Sequence, residues 1–329
     1  MIVLADSPLS ARELAPIDLG DAAAAAVTID ALSPHEAELW RIAGCGARVV
    51  RYEREAPSAL AYFSHAVVVD AASGSQFDAL RSPAWNPRGG TPAVACVAGT
   101  GSGFHGHRGR AWATAPGNLH LSLACDPELD VAPCGLALTA LPAVAVVETL
   151  ATLGPWRGAP AIKWVNDVWI AGRKVGGVLT ATHALRGRQT RLVLGIGLNV
   201  ARAPAVVADR FVPMVGALPE LALGRPPSLR ACFAGVLTRV AAWLARLRAE
   251  GPAALLDAYR ATSLVIGQDV EIWAEEPLAH GRAAQTAEPL YRGKVVGIDD
   301  DLALRLADQP EPVRRGRLAL PRAGSRRRS

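Results

Sequence analysis

Lys163-Trp164-Val165-Asn166-Asp167 is the stretch of this 329-residue chain best suited to chemistry on an anion. The chain holds three lysines against 32 arginines. Where a generic positive charge serves, this sequence writes Arg. A Lys kept here points to a compact ammonium at a defined point, which Arg's planar fork does not supply. Lys174 follows eleven residues later, in Arg173-Lys174-Val175-Gly176-Gly177-Val178-Leu179. Upstream, Gly99 to Arg110 places five glycines and two arginines within twelve residues. Such backbone can approach a ligand closely. Its N–H groups and guanidinium forks suit phosphate oxygens. Gly101, Ser102, His105, Gly106, His107, Arg108, Gly109 and Arg110 are the candidates there, with Trp112 just beyond.

Two other readings of that loop are weak. Gly101-x-Gly103-x-x-Gly106 is a formal dinucleotide fingerprint, but a Rossmann unit needs a helix next. Here the strand-like Leu119-His120-Leu121-Ser122-Leu123 comes instead. His105 and His107 are spaced i, i+2 with no third ligand in view, so no metal centre is assigned.

Elements must hold these groups. Val168-Trp169-Ile170 and Val175 to Leu179 read as two strands joined by the turn Ala171-Gly172-Arg173, which would set Lys163 on a rigid hairpin. Ala93 to Ala98 is a strand that delivers the glycine loop. Arg191 to Val200 alternates apolar residues around Val193, Gly195 and Gly197, and those two glycines would let a ligand lie against the strand. Val67 to Asp70 is a buried-type strand, and a helix starts in Ser73 to Leu80. Leu136 to Leu153 reads as an apolar helix, with Pro142 at a bend. Ser228 to Arg248 is amphipathic and core-facing, and Pro252 to Tyr259 is a second short helix. Ser33-Pro34-His35-Glu36 is an N-cap followed by an N1 proline, for a helix to about Ile42. Short strands fill the end: Val270 to Trp273, Gly293 to Ile298 and Leu302 to Leu306. Loops are expected at Ser82 to Pro92 and Ala274 to Pro289.

Taken together, these motifs resemble the catalytic domain of biotin protein ligases. Arg108-Gly109-Arg110-Ala111-Trp112 matches the end of that family's glycine-arginine loop. Gly117-Asn118-Leu119 with Ser122, Lys163 to Asp167, Gly177-Val178-Leu179 and Gly195-Ile196-Gly197-Leu198-Asn199 match its later motifs, in the same order. The resemblance covers roughly residues 62 to 320. It departs where the family reads biotin. His105 and His107 replace two loop arginines, the loop glutamine falls on Gly101 or Ser102, and the Ser-Thr-Asn run corresponds at best to Gly74-Ser75-Gln76.

The resemblance implies an ATP-dependent ligase that makes biotinyl-5′-AMP and passes biotin to a lysine of a biotin carboxyl carrier protein domain. Lys163 would be the catalytic cation. Arg108 and Arg110 would clamp phosphate, under a loop that orders over the adenylate. Asn166 and Asp167 would organise either the hairpin or a metal shell. Ser75, Gln76, Asn118, Gly177, Gly195, Gly197 and Asn199 would line the substrate site. Mg²⁺ is implied by ATP chemistry. The two loop histidines, partly charged near pH 6, would hold the adenylate better as pH falls. The altered head-group residues keep two alternatives open: a paralogue using lipoate or a fatty acid, or a non-catalytic binding protein on the same fold.

The implied fold is α+β, a mixed sheet with flanking helices plus a small C-terminal SH3-like β-barrel. The expected divisions are an N-terminal extension of unclear fold (1–60), a ligase domain (61–262), the small barrel (263–320) and a basic tail (321–329). The alternative for residues 1–60 is an added strand-helix layer. Half the residues are apolar, enough for a large core. The five cysteines show no CxxC spacing and read as reduced core thiols of a cytoplasmic protein. No apolar run reaches a membrane span, and no signal peptide is evident. The formal charge of +5 owes to seven arginines after residue 313. No basic recognition helix appears in residues 1–60, which speaks against DNA as a partner. A homodimer is compatible with the sequence.

Overall fold

A computed structural model describes residues 1–42, 46–85, 92–275 and 288–321. Cys45, most of the Ser82–Pro92 and Ala274–Pro289 loops, and the basic tail from residue 322 lie outside the described residues.

The chain runs β1 (Ile2–Ala5), α1 (Pro8–Leu14), β2 (Ala25–Thr28), α2 (Pro34–Ile42), β3 (Arg48–Glu53), β4 (His65–Ala72), α3 (Gln76–Arg81) and β5 (Val94–Gly101). Then come β6 (Leu119–Cys125), α4 (Val131–Cys134), α5 (Ala137–Leu153), β7 (Ala161–Lys163), β8 (Asp167–Ile170), β9 (Arg173–Leu185) and β10 (Arg188–Leu198). The remainder is α6 (Leu218–Leu221), α7 (Leu229–Glu250), α8 (Ala253–Ala261), β11 (Asp269–Trp273), β12 (Tyr291–Ile298), β13 (Leu304–Leu306) and β14 (Arg317–Ala319).

Among the described residues, ten strands form one mixed sheet in the order β2-β3-β1-β4-β5-β6-β10-β9-β8-β7. β1, β4 and β5 are parallel, and the other pairings are antiparallel. Alternation along the strands sorts the core onto two faces. Val3, Ala66, Val68, Ala95, Val97 and Leu121 face α1, α5, α7 and α8. Leu4, Val67, Val69, Cys96 and Ala98 face α2 and α3, with Trp40, Phe77 and Leu80. Residues 1–60 thus extend the large sheet by three strands and put α1 and α2 on opposite faces.

Local signals explain most boundaries. Ser33 and Glu36 form a reciprocal capping box at the start of α2: Glu36 N–H donates to Ser33 Oγ, and Ser33 N–H to Glu36 Oε2. Pro142 lies inside α5. A proline there removes the N–H that would serve Leu138 four residues back. The Thr180 hydroxyl of β9 donates to that Leu138 carbonyl at 3.4 Å, so the sheet answers what the helix lost. The β8–β9 turn has Ala171 and Gly172 at φ 48° and 76°, the left-handed pair a two-residue hairpin turn needs. Cys96, Cys125, Cys134 and Cys232 are buried thiols.

After α8 the described residues form a separate four-stranded antiparallel sheet, β13-β12-β11-β14. The expected strands are present, β13 beginning at Leu304 rather than Leu302. β14 adds one strand in a region where arginines dominate and period-2 alternation is short. Trp164 Nε1 donates to Leu302 O at 2.7 Å, tying the small sheet to the Lys163 hairpin. Among the described residues, no helix is long and apolar enough to cross a membrane.

Candidate active site

A register row crosses the centre of the large sheet. Ala98, His120, Gly197, Gly177, Asp167 and Lys163 are successive partners on β5, β6, β10, β9, β8 and β7. Paired residues point to one face, and strands lie ~4.8 Å apart, so His120 and Asp167 are separated by about 14 Å of sheet. Glycine at the two middle positions leaves a trough. The Trp112 ring fills its floor so closely that a Cβ on Gly197 would lie 2.5 Å from it. Two residues along β10, Phe77 packs on Gly195 in the same way, with 3.1 Å to a would-be Cβ.

A cavity of about 250 Å³ lies over this trough. Among its lining residues are Ser75, Gln76, Phe77, Phe104, His105, Gly106, His107, Arg110, Trp112, His120, Asn166, Asp167, Lys174, Gly177, Gly195, Gly197, Asn199, Asp209 and Arg317. Lys163, Gly101, Ser102, Arg108, Gly109 and Asn118 do not line it.

One end is cationic. The β8–β9 ladder slips between Val168 and Trp169, a bulge of the kind that re-aims side chains. Lys174 Nζ meets Asp167 Oδ1 at 2.6 Å and lies 5.9 Å from the Trp112 ring centre. Lys163 stands behind this wall. It is 3% exposed, donates to Phe211 O at 2.6 Å and sits 5.2 Å from the Trp169 ring. Burial pushes its ammonium down to about 8, against the pull of nearby Asp167, and Lys174 adds to the depression. The Trp164–Val165 peptide is cis. Asn166 Nδ2 donates to Val178 O at 2.7 Å and so braces the hairpin.

The other end is neutral and aromatic. Gln76 is 2% exposed, and its Nε2 has no hydrogen-bond partner. Trp112 Nε1 and His120 Nε2 are likewise buried without partners. Burial lowers the His120 pKa, and its Nδ1 lies 3.2 Å from Ala98 O. A neutral ring donating there presents Nε2 as an acceptor. Three unpaired polar atoms around one cavity are costly unless something fills it.

The glycine-arginine loop forms the roof and is more internally bonded than a bare cradle. Gly106 N–H donates to Arg110 O at 2.6 Å, Gly109 N–H to Gly106 O, and Trp112 N–H to Phe104 O. His105 Nε2 lies 2.7 Å from Asp78 Oδ2 on α3, whose start Ser75 caps. Burial would raise the Asp78 pKa, but contacts from His105, Ser75 and Arg81 outweigh it and hold the carboxyl low. Arg108, at φ 62°, pairs with Glu275 of the segment after β11. Burial, then Arg108 and Arg110, lower the His107 pKa below the usual 6.5, which works against the charged form expected of it near pH 6. Ser102 Oγ donates to Ser73 O, away from the cavity.

Asn118 is 1% exposed and fully engaged behind the site. Its Oδ1 accepts from Ala201 and Arg202 N–H, and its Nδ2 donates to Arg202 O. Asn199 Nδ2 donates to Gly216 O. Sequence reasoning passed over His120, Phe77, Phe104, Asp209 and Arg317 as site residues. A histidine inside an otherwise apolar strand was a readable signal for the first. Arg317 lies far along the chain and carries none.

Residues 79–199 match the model of the biotin/lipoate A/B protein ligase family, a span that holds the loop, the glycine trough and the Lys163 hairpin. Over those residues the chain is similar to that family. The chain is 29% identical over 204 residues to a biotin–[acetyl-CoA-carboxylase] ligase of Paracoccus denitrificans, covering 61% of this chain and 78% of that one. It is 31% identical over 159 residues to the bifunctional ligase/repressor BirA of Bacillus subtilis, covering 48% of this chain and 47% of that protein, so the match spans about half the relative's length. In fold it resembles the biotin protein ligase of Aquifex aeolicus in complex with biotin and ATP, at TM-score 0.57 and 21% identity, covering 79% of this chain and all of that one.

Proposed function

We propose that this protein is an ATP-dependent biotin–protein ligase. The observation that carries the reading is the polarity of the trough. Cations stand at one end, unpaired neutral donors and an acceptor at the other, with the Trp112-covered glycine floor between. A carboxylic acid with a polar, uncharged head group and a flexible chain matches that order. The names of the Paracoccus and Aquifex proteins support biotin as that acid and ATP as its partner.

The acid carboxylate attacks the α-phosphorus of ATP, an acyl–phosphate bond forms, and pyrophosphate leaves. The lysine amine of a carrier domain then attacks the acyl carbon and AMP leaves. Both steps build negative charge on oxygen. Lys163 supplies a fixed ammonium one strand beyond Asp167, and Lys174 and Arg110 add charge at the cavity wall. Such a preorganised donor is worth ~3 kcal/mol. The loop roof, latched by His105 to Asp78, excludes water from the adenylate.

No group of three or more His, Cys, Asp or Glu suited to a metal occurs among the described residues. Mg²⁺ keeps its waters and needs only one or two carboxylates beside substrate phosphates. Asp167, at the cavity wall, fits that need for an ion arriving with ATP.

The same reading makes the small C-terminal sheet an SH3-like unit beside a ligase domain, and the protein cytoplasmic. It also assigns no DNA partner. In residues 1–60 the helices α1 and α2 are separated by β2 and face opposite sides of the sheet, not a helix-turn-helix. Calorimetric titration with biotin, lipoate and octanoate, each with and without ATP, tests the assignment. Biotin alone should bind, and more tightly with ATP. Preference for lipoate or octanoate would move the substrate to another acid, and binding of none would remove the enzymatic reading.

A further inference from the structure

Arg191, Val193, Gly195 and Gly197 follow one another along one face of β10, since alternate residues of a strand share a face. Trp112 covers Gly197 and Phe77 covers Gly195. Arg191 stands at the far end of this row. It does not line the cavity, and it is 8% exposed. Its Nη1 donates to Leu80 O at 3.4 Å and to Ser82 O at 3.2 Å, two carbonyls at the end of α3. A helix leaves its last carbonyls without partners inside the helix. So α3 rests on β10 at two points: Phe77 on Gly195 near its start, and Arg191 beneath its end.

Adhesion alone does not explain this arginine. Its guanidinium carbon lies 4.9 Å from the Trp85 ring centre, and its Nε is buried without a partner. Burial pushes its pKa down, and Glu38 on α2 pulls the other way. An apolar side chain of similar volume is commonly no worse for stability in such a place. What guanidinium adds is direction, because its planar fork fixes where the bonded carbonyls lie.

The helix it holds carries groups of the site. Ser75 caps α3, Gln76 lines the neutral end of the cavity, and Asp78 meets His105 of the loop roof. α3 has six residues, about 9 Å of helix, so a tilt at one end is felt at the other.

We propose that Arg191 is a positioning residue for the acid's head group. By holding the end of α3 on β10, it sets Gln76 in the cavity wall and keeps the Asp78–His105 latch aligned with the loop. The proposal rests on the ligase reading for the acid concerned, but the effect on the loop does not. If Arg191 serves stability alone, an apolar replacement that leaves stability intact leaves the site intact as well.

The test uses the full chain. Its readouts are the urea midpoint, the KM values for biotin and ATP in pyrophosphate exchange, and the rate of trypsin cleavage after Arg108 in the unliganded protein. Arg191→Met should keep the urea midpoint and raise the KM for biotin about tenfold, the scale of a small misplacement of binding groups. The KM for ATP should stay within about twofold. Trypsin should cut the loop about fivefold faster as the latch loosens, and not faster still when Arg191→Met is added to Asp78→Ala. Arg191→Lys retains donors for the same carbonyls and should recover most of both losses. An unmoved KM for biotin, or an unmoved cleavage rate, in folded Arg191→Met overturns the proposal. If Arg191→Met does not fold, Arg191→Gln takes its place, with about a threefold rise expected in the KM for biotin. An equal rise in both KM values would then overturn the proposal. If the wild type catalyses no exchange, the ligase reading fails by itself, and the cleavage rates of the same variants still decide the role of Arg191.

Discussion

The Lys163 ammonium donates to the Phe211 carbonyl at 2.6 Å while only 3% of the residue is exposed. The ammonium has three N–H donors, and one is spent on the turn that also carries Asp209. Guanidinium would not fit that space. Lys163→Ala should lower biotin-dependent pyrophosphate exchange by about 10² to 10³-fold, and Lys163→Arg should fail comparably. Near-normal exchange in Lys163→Arg would remove Lys163 from its assigned role.

The same burial sets a pH limb. Lys163 is pushed from 10.5 down to about 8, so the charged form declines as pH rises through 8. Between 8 and 10.5 the unfolded chain holds more protons than the folded one, so burial of this lysine costs stability less as pH rises. Exchange per enzyme, followed from pH 6 to 10 at low ATP and biotin, should fall with a midpoint near 8. A flat profile to pH 10 contradicts this.

Gly197 and Gly177 separate two roles in one trough. Gly197→Ala puts a methyl 2.5 Å from the Trp112 ring, whereas Gly177→Ala meets nothing closer than 3.6 Å. Overpacking at the first should cost about 1–3 kcal/mol, displace Trp112 and weaken biotin binding about tenfold. Tryptophan fluorescence and biotin titration read both effects. Equal tolerance of the two alanines would show that the ring does not define the floor.

Asn118 belongs to stability rather than recognition. Asn118→Ala strands two backbone N–H groups and a carbonyl in the 201–202 segment, at about 2–4 kcal/mol. The urea midpoint should fall while the biotin dissociation constant measured at low temperature holds. A variant of normal stability that has lost biotin would reverse the assignment.

Much of the site was legible because it is local and periodic. Gly195 and Gly197 interrupt a period-2 strand, and Lys163 stands where a Lys is rare. The row from Lys163 to His120 was not legible, because it depends on the order β6-β10-β9-β8-β7, which no spacing encodes. Residues 1–60 were hard for a related reason. β1 pairs with β4 and β3 only through long-range contacts, and the alanine-rich run before β2 carries little periodicity. The pH behaviour expected of His107 runs against its burial, which only three dimensions reveal, and against Arg108 and Arg110, which stand one and three residues away in the sequence. Retention of the adenylate should accordingly be alike for wild type and His107→Gln between pH 6.5 and 8, as a stopped-flow trap would measure; a wild-type gain toward low pH, absent in the variant, would restore the charged histidine.

Acid-dependent ATP–pyrophosphate exchange with radiolabelled pyrophosphate tests the function most directly. Biotin should drive exchange, lipoate and octanoate should not, and the product should be biotinyl-5′-AMP, which then labels a carboxyl carrier domain on lysine. Exchange driven by octanoate or lipoate, or no exchange with biotin at saturating ATP and Mg²⁺, would contradict it.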